Sequence, residues 1–302
     1  MRDAFLSKIT ELATKDKDIV LLTGDLGFGV FEEFEVAFPG QYFNVGVSEQ
    51  NMTGLAAGLA LEGKKVITYS IGNFPTLRCL EQIRNDVCYH DLNITIVASG
   101  GGFSYGSLGM SHHTTEDIAI MRALPAMRVV APGTLWEAGE ATEALIKYDG
   151  VGYLRLDKTV FEGDSPPFSL GGSIRYKEGS DVTLLTTGGI LRDVVEAAQL
   201  LQLQGVDASV VSMHSIKPID KDAIIVAAKE TGGIVTVEEH NIDGGLGSAV
   251  AEVCMDNNIA PKAFLRIALD DRYSSIVGSQ DYLKANYGMD ATSIFERVLK
   301  LL

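Results

Sequence analysis

One carboxylate in this sequence stands where it could take part in acid–base chemistry. Glu49 lies a few residues after a predicted strand at 42–45 and begins a predicted helix at 49–62 that is rich in Gly and Ala. Small residues let such a helix pack closely, and a carboxyl group at its start could take part in proton transfer. Acidic residues are also common at helix starts simply because the helix dipole favours them.

A second candidate group is a histidine in a glycine-rich segment. His112 follows Gly109 and Ser111, and His113 stands next to it. Histidine changes its protonation near neutral pH, which suits proton transfer or hydrogen bonding to a substrate hydroxyl. A single histidine more often serves as a structural hydrogen-bond donor, so the residue type alone leaves both roles open for His112.

The elements that must position these groups alternate between strand and helix through the first 160 residues. Alternation of this kind predicts a parallel sheet covered by helices on both faces. The predicted strands lie at 19–23, 42–45, 65–69, 92–98, 127–131 and 153–156, and the predicted helices at 3–16, 49–62, 77–89 and 136–148.

The chain is predicted to contain two α/β domains, each built on a mainly parallel sheet flanked by helices. A turn-rich stretch begins at Gly163, and we place a linker at 163–178 between a first domain of 1–162 and a smaller one of 179–302. In the second domain strands are predicted at 182–185, 208–213, 234–238 and 264–268, with helices at 191–203 and 248–254.

The composition narrows the class of partner and the compartment. A net charge of −15 argues against nucleic acid, because phosphate binding needs clustered Lys and Arg. The three cysteines show no C-x-x-C spacing, which indicates reduced thiols in a cytoplasmic protein. No signal peptide is evident, and no apolar run approaches the roughly 20 residues that span a bilayer, so we expect no membrane association.

Four blocks of sequence, in order and at the right spacing, resemble the transketolase family. The first block combines a strand, an acid and a small-residue helix. The second resembles the family's Arg-x-x-Asp-Gln-Ile-Arg-Asn helix, and the third resembles its Gly-x-Thr-His-Gln segment followed by Arg-Ala-Leu-Pro. The fourth resembles the family's C-terminal domain. The blocks read NVGVSEQNMTGLAAGLA at 44–60, RCLEQIRNDV at 78–87, GMSHHTTED at 109–117 with MRALP at 121–125, and SIKPID at 215–220 with VEEHNIDGGLG at 237–247. The resemblance covers nearly all 302 residues.

This resemblance implies a pyrimidine-binding domain for thiamine diphosphate followed by a transketolase C-terminal domain. Glu49 is then the acid that hydrogen-bonds to the pyrimidine ring. Phe74 falls where the family packs an aromatic ring on the pyrimidine, although the surrounding segment is one residue shorter than usual. Arg78 is a further candidate for this pocket, and Asp25, which we place along a subunit interface, is a fourth candidate for cofactor binding.

The family's second cofactor motif is missing from this chain. In the family a Gly-Asp-Gly, followed by an Asn, holds the diphosphate and its metal ion on an N-terminal domain. The nearest string, from Gly24 to Gly27, has Leu26 in place of the second Gly and lies in the wrong domain. The resemblance therefore implies a separate N-terminal-type subunit that binds the Mg²⁺ or Ca²⁺ ion, in an α2β2 assembly, and no metal ligands in this chain.

Candidate substrate contacts follow from the same resemblance. His112 matches the histidine that faces the reacting carbon. Leu108 stands where transketolases usually carry an Asp that reads a donor hydroxyl, so donor selectivity should differ. Lys158, with Arg155 behind it, is nearest to the position of an Arg that binds the acceptor phosphate, but Lys binds phosphate only as a point charge.

Three functions remain open from the sequence alone. The first is the β-type subunit of a split transketolase, which transfers a two-carbon ketol unit between sugars or sugar derivatives. The second is the β-subunit of a 2-oxo-acid dehydrogenase decarboxylase or an enzyme resembling deoxyxylulose-phosphate synthase. The third is a non-catalytic scaffold or regulatory subunit that has kept the fold.

Overall fold

The fold contains two open sheets, and the computed structural model describes residues 1–27, 29–158, 161–163 and 165–302. The strands are β1 (Ile19–Thr23), β2 (Tyr42–Asn44), β3 (Lys65–Ile71), β4 (Ile94–Ser99), β5 (Arg128–Val130), β6 (Gly152–Leu156), β7 (Ile174–Lys177), β8 (Val182–Thr187), β9 (Ala208–Ser212), β10 (Ser215–Lys217), β11 (Ile234–Asn241) and β12 (Phe264–Leu269).

Helices cover both sheets. They are α1 (Arg2–Lys15), α2 (Glu32–Ala37), α3 (Glu49–Leu61), α4 (Leu80–Gln82), α5 (Asp117–Ala123), α6 (Leu135–Lys147), α7 (Leu191–Leu203), α8 (Lys221–Glu230), α9 (Leu246–Asp256), α10 (Gln280–Asn286) and α11 (Ala291–Leu301). Within the described ranges, none of these helices combines the length and the apolar character needed to cross a membrane.

The strand order confirms the predicted α/β class. In the first sheet the order is β10-β5-β6-β4-β3-β1-β2, and in the second it is β12-β11-β8-β9-β7. Every pairing is parallel except that of β10 with β5 and that of β7 with β9, both at sheet edges.

The core explains why strand β1 is apolar at every position but its last. Ile19 and Leu21 belong to the cluster that includes Phe5 of α1, whereas Val20 and Leu22 belong to the cluster that includes Met52 of α3. Successive side chains of a strand point to opposite faces, so a strand between two helical layers must be apolar on both.

Two short strands depart from the expected organisation. The predicted linker at 163–178, of which Asp164 lies outside the described residues, contains β7, which pairs with β9 of the second sheet. Strand β10 belongs by sequence to the predicted second domain, yet it extends the first sheet beside β5. Three or four residues give too little periodicity for either strand to be recognised from the sequence.

The segment predicted as one helix at 77–89 is irregular. It begins with a 3₁₀ turn over Leu77–Cys79, continues as α4, and ends as a π-helix over Ile83–Cys88. The apolar spacing of Leu80, Ile83 and Val87 fits a regular helix, so the sequence located the buried face but not the hydrogen-bonding pattern. Irregular helical turns of this kind are frequent near functional sites.

Candidate active site

All the predicted site residues except Arg155, which lies within β6, follow the carboxyl ends of parallel strands in the first sheet. Because these strands run in the same direction, the segments that follow them meet at one edge of the sheet, where open α/β folds bind ligands. Across the sheet the residues are Lys158 after β6, Leu108 and His112 after β4, Phe74 and Arg78 after β3, Asp25 after β1, and Glu49 after β2.

Glu49 is the first residue of α3 and is only 2% exposed. The turn before it passes through Gly46, whose φ of 75° favours glycine, and the helix buries Met52 and Ala56 against the sheet. Its carboxylate Oε2 accepts a hydrogen bond from Arg78 Nη1 at 2.7 Å. Among the described residues none donates a hydrogen bond to Oε1, which leaves that oxygen available to a ligand.

Arg78, Phe74 and His112 continue from Glu49 as a connected row of side chains. The Arg78 guanidinium carbon lies 4.7 Å from the centroid of the Phe74 ring. The Phe74 and His112 rings meet edge to face with centroids 5.3 Å apart. The structure therefore brings together four of the predicted residues, although Arg78 is 47% exposed while Glu49 is buried.

The loop after β4 that holds His112 is closed at its base. Gly102 and Thr114 exchange two backbone hydrogen bonds, of 2.9 and 2.8 Å. We call the segment 102–114 the His112 loop. Asn73 Nδ2 donates to the carbonyl oxygen of His113 at 2.5 Å, and the hydroxyl of Ser111 lies 3.0 Å from His112 Nδ1. Leu108 is 55% exposed on the same loop.

His113, the neighbour of His112, has a structural role. Its side chain is buried, and Nε2 lies 3.2 Å from the carbonyl oxygen of Gly106. Burial lowers the pKa of His113 despite this contact. We therefore expect a neutral ring that donates one hydrogen bond to the loop backbone.

Asp25 lies at the same edge, beside the turn that leads to Glu49. Its φ of 58° is unusual for a residue other than glycine, and two hydrogen bonds with Asn44 hold it in place. The Asp25 N–H donates to Asn44 Oδ1 at 2.9 Å, and Asn44 Nδ2 donates to Asp25 Oδ1 at 3.1 Å. The Asp25 residue is exposed.

A cavity of about 280 Å³ lies beside Lys158, and a second cationic side chain that the sequence did not indicate also lines it. Arg2, at the start of α1, lines it together with Lys158, whose Nζ lies 3.7 Å from the centroid of the Tyr105 ring. Burial, and then the charge of Arg2, lower the pKa of Lys158. Nothing in the sequence marks Arg2, because Lys158 is distant in the chain and cations at helix starts are usually only solvated. In the structure Arg2 Nε also pairs with the neighbouring Asp3 Oδ1 at 3.0 Å. The full lining is Met1, Arg2, Asp3, Ser99, Tyr105, Leu156, Asp157 and Lys158.

Arg155 does not line this cavity. It is 2% exposed, and its guanidinium contacts Asp157 at 3.2 Å, Asp117 at 3.5 Å and the carbonyl oxygen of Glu239 at 2.8 Å. Although burial opposes it, the charges of Asp117 and then Asp157 raise the pKa of Arg155 above its ordinary value. All the contacts that the structure describes for Arg155 are with buried groups of the protein itself, so we do not retain Arg155 as a phosphate ligand.

Family models match both parts of the chain. Residues 1–162 match the family described as transketolase, pyrimidine binding domain, and residues 171–294 match the one described as transketolase, C-terminal domain. The chain belongs to the transketolase family. The family resemblance inferred from the four sequence blocks is thereby confirmed.

Several transketolase relatives have nearly the same length as this chain. A subunit of the apulose-4-phosphate transketolase of Phocaeicola vulgatus is 35% identical, over 100% of this chain and 97% of the relative. The 6-deoxy-6-sulfo-D-fructose transketolase subunit SqwH of a Clostridium species is 36% identical, over 97% and 92%. A solved structure described as a split gene transketolase, inactive beta4 tetramer, is 34% identical, with a TM-score of 0.89 over 100% of this chain and 97% of that one.

A transketolase pyrimidine-binding domain implies thiamine diphosphate as the cofactor. The residues present fit its pyrimidine end, because Glu49 is a buried residue whose Oε1 accepts no hydrogen bond from the described residues, and Phe74 offers an aromatic face nearby. In the part of the chain that the structure describes, no three His, Cys, Asp or Glu side chains are grouped so as to hold a metal ion.

Replacement of Arg155 by Met is expected to lower the free energy of unfolding by about 3 to 5 kcal/mol, because Asp117 and Asp157 would stay buried without their cation. Urea unfolding followed by circular dichroism measures this loss. Arg272→Met is the matched control, since Arg272 pairs with Asp270 on the surface and its loss should cost less than about 1 kcal/mol. Equal losses in the two variants would show that Arg155 contributes no more to stability than a surface ion pair does.

Proposed function

We propose that this chain is the β-type subunit of a split, thiamine-diphosphate-dependent transketolase, which transfers a two-carbon ketol unit between sugars or sugar derivatives. The observation that carries the proposal is the buried Glu49 side chain at the sheet edge. Its Oε2 is connected through Arg78 and Phe74 to His112, and its Oε1 accepts no hydrogen bond from the described residues. Relatives of nearly the same length that are named as transketolase subunits support it.

Each residue of the row has a distinct part in this proposal. Glu49 accepts or donates the hydrogen bond to the pyrimidine ring, and Arg78 fixes the carboxylate through Oε2. Phe74 orients the ring by packing, and Asp25 borders the cofactor at the subunit boundary. Thiamine diphosphate, when bound, supplies the nucleophilic carbon, whereas the protein supplies the proton relay and the fixed geometry. His112 hydrogen-bonds to a substrate hydroxyl.

The proposed enzyme needs a second, N-terminal-type subunit. That subunit would carry the Gly-Asp-Gly and Asn motif and bind the diphosphate together with Mg²⁺ or Ca²⁺, ions that prefer oxygen ligands. Apolar side chains beside Glu49 support a contact there, because Val47 is 72% exposed and Leu55 and Leu77 are 41% and 42% exposed. We propose an α2β2 assembly and a cytoplasmic location. We also propose the domain division at 1–162 and 179–302, with β7 from the intervening segment added to the second sheet.

An anionic sugar is the substrate class that the cavity beside Lys158 supports. Arg2 and Lys158 line one cavity together with Asp3, which pairs with Arg2 at 3.0 Å, and Asp157. Burial, and then the charge of Arg2, disfavour the charged form of Lys158. An anion bound between the two cations would relieve their repulsion. Two relatives are named for a phosphorylated and a sulfonated sugar, which carry such a group. Leu108 cannot accept a hydrogen bond from a donor hydroxyl, so the selectivity at that position should be steric.

The isolated chain is expected to bind thiamine diphosphate with Mg²⁺ only weakly, and the co-purified complex with its N-terminal-type subunit to bind it tightly. The reason is that the diphosphate and metal end of the cofactor is expected to find its ligands on the other subunit. Isothermal titration calorimetry measures both affinities, and light scattering after gel filtration gives the stoichiometry. Tight, metal-dependent binding to the isolated chain would refute the shared site.

Glu49→Gln in the complete complex is expected to lower kcat for ketol transfer by about 100- to 10,000-fold, the range of a lost general acid–base group. Glu62→Gln, at the exposed end of the same helix, is the control and should keep full turnover. Turnover is followed with ketose donors and, in parallel, as CO₂ release from 2-oxo acids. Activity confined to 2-oxo acids would favour the decarboxylase alternative, and unaltered turnover of Glu49→Gln would remove the proposed role of Glu49.

The double variant Arg2→Met with Lys158→Met is expected to raise KM for a phosphorylated acceptor by about 10- to 100-fold, because two charged contacts are lost. Its KM for the unphosphorylated sugar should stay within about threefold. Lys15→Met, at the exposed far end of helix α1, serves as the control. Equal effects on both acceptors would show that the cavity does not bind the anionic group.

A further inference from the structure

The second sheet contributes a buried carboxylate to the His112 loop. Glu239 lies in β11, is 2% exposed, and accepts a hydrogen bond from the backbone N–H of Phe103. Gln280 Nε2 lies 3.1 and 3.0 Å from the two oxygens of this carboxylate. A residue distant in sequence thus holds the loop one position after its closed base.

Further contacts from helix α10 and the residues that flank it support the same part of the loop. The Phe103 ring is fully buried and stacks on Tyr287, with centroids 5.6 Å apart. The Gly278 N–H donates to the carbonyl oxygen of Gly106 at 3.3 Å. Leu283 packs so closely over Gly106 that a Cβ added there would lie 2.5 Å from Leu283 Cδ1. These contacts leave little room for the loop to shift.

His112 itself is placed only indirectly by these contacts. Its backbone N–H donates to the carbonyl oxygen of Gly109 at 2.9 Å, and the loop closes two residues later at Thr114. A closed segment pinned at both ends of its base, and at Phe103 and Gly106, has few conformations left. The position of the His112 ring against Phe74 therefore depends on the anchor at Phe103 as well as on the hydrogen bond from Asn73 to the carbonyl oxygen of His113.

We propose that Glu239 is a positioning residue for ketol transfer, which fixes the His112 loop from the second domain. This proposal rests on the proposed function of the chain. It gives the C-terminal domain a specific task in the reaction, because the anchor joins β11 to the loop that carries the candidate substrate histidine.

The surroundings of Glu239 suggest the conservative variant. The charged groups that face it are Arg155 and Asp157 at the end of β6 and Lys284 of α10, which pairs with Asp193 and Asp281. Burial, and then the charge of Asp157, raise the pKa of Glu239 to about 7. Glutamine matches the carboxyl group in size, still offers an oxygen to Phe103, and adds no charge, so Glu239→Gln should keep most of the anchor.

Hydrogen exchange of the full chain, read by mass spectrometry, tests the anchor without any activity. Glu239→Ala should speed exchange in peptides covering 103–114 by about 10- to 100-fold, because a buried N–H loses its acceptor. Glu239→Gln should stay within about threefold of the original chain. Tyr287→Leu, which removes the ring packed on Phe103, should also speed exchange in these peptides if Glu239→Ala does not fold.

The matched control is the adjacent carboxylate of the same strand. Glu238 is 1% exposed and accepts from the N–H groups of Leu246 and Gly247 at the start of α9. Glu238→Gln should speed exchange near 246–250 and leave 103–114 unchanged. Unchanged exchange of 103–114 in Glu239→Ala, or equal changes there in Glu238→Gln, would overturn the proposal.

Kinetics of the complex with the N-terminal-type subunit test the consequence. Glu239→Ala should lower kcat by about 10- to 100-fold with KM within about threefold, and Glu239→Gln should restore most of kcat. A loss confined to KM, or equal losses in both variants, would contradict the positioning role. A wild-type complex without ketol transfer would refute the proposed function, and the exchange result would still decide whether Glu239 anchors the loop.

Discussion

Parallel pairing is the constraint on which the rest of this structure depends. When β1, β2, β3, β4 and β6 run in the same direction, every segment that leaves a carboxyl end starts from the same edge. A carboxylate after β2, an aromatic ring after β3 and a histidine after β4 can then form one row without any local affinity for one another. The rest of the structure holds these segments in fixed positions at the edge of the sheet.

Buried charges provide much of this fixing. Arg155 pairs with the buried Asp117 and Asp157, and Lys284 pairs with the buried Asp193 and the exposed Asp281, while the charges of both cations act on the buried Glu239. Removing ions from water costs several kcal/mol each, and only close partners offset that cost. Such a network is a weak source of net stability but tolerates little displacement. It therefore suits the contact between the two units, where the His112 loop must keep a fixed position.

The sequence was most informative where local pattern and chemistry coincide. Strand β1 and helix α3 were predicted almost to the residue, because a short continuous apolar run indicates a strand buried on both faces, and a Gly- and Ala-rich segment that follows Glu49 indicates a closely packed helix. Glu49, Phe74, Arg78 and His112 were recognised through family motifs, and the structure places them side by side. Their chemical roles remain predictions.

Other features depend on contacts between distant parts of the chain and could not be read from the sequence. Arg2 and Lys158 line the same cavity only because the start of α1 lies beside the carboxyl ends of β4 and β6. Arg155 was expected near a substrate phosphate, but two aspartates enclose it. Glu239 looks like its neighbour Glu238 in the sequence, and only the alternation of side chains along β11 sends one to a helix end and the other to the His112 loop.

Strand β10 has a consequence for how this polypeptide tolerates being divided. Ser215 and Lys217 pair with Val130 and Val129, so a piece of the second unit completes the border of the first sheet. In a fragment that ends after the first unit, β5 would be an edge strand with unpaired N–H and carbonyl groups. Such an edge can pair with strands of other chains. The two units are thus interlocked, because the first sheet has its complete border only when both units belong to one polypeptide.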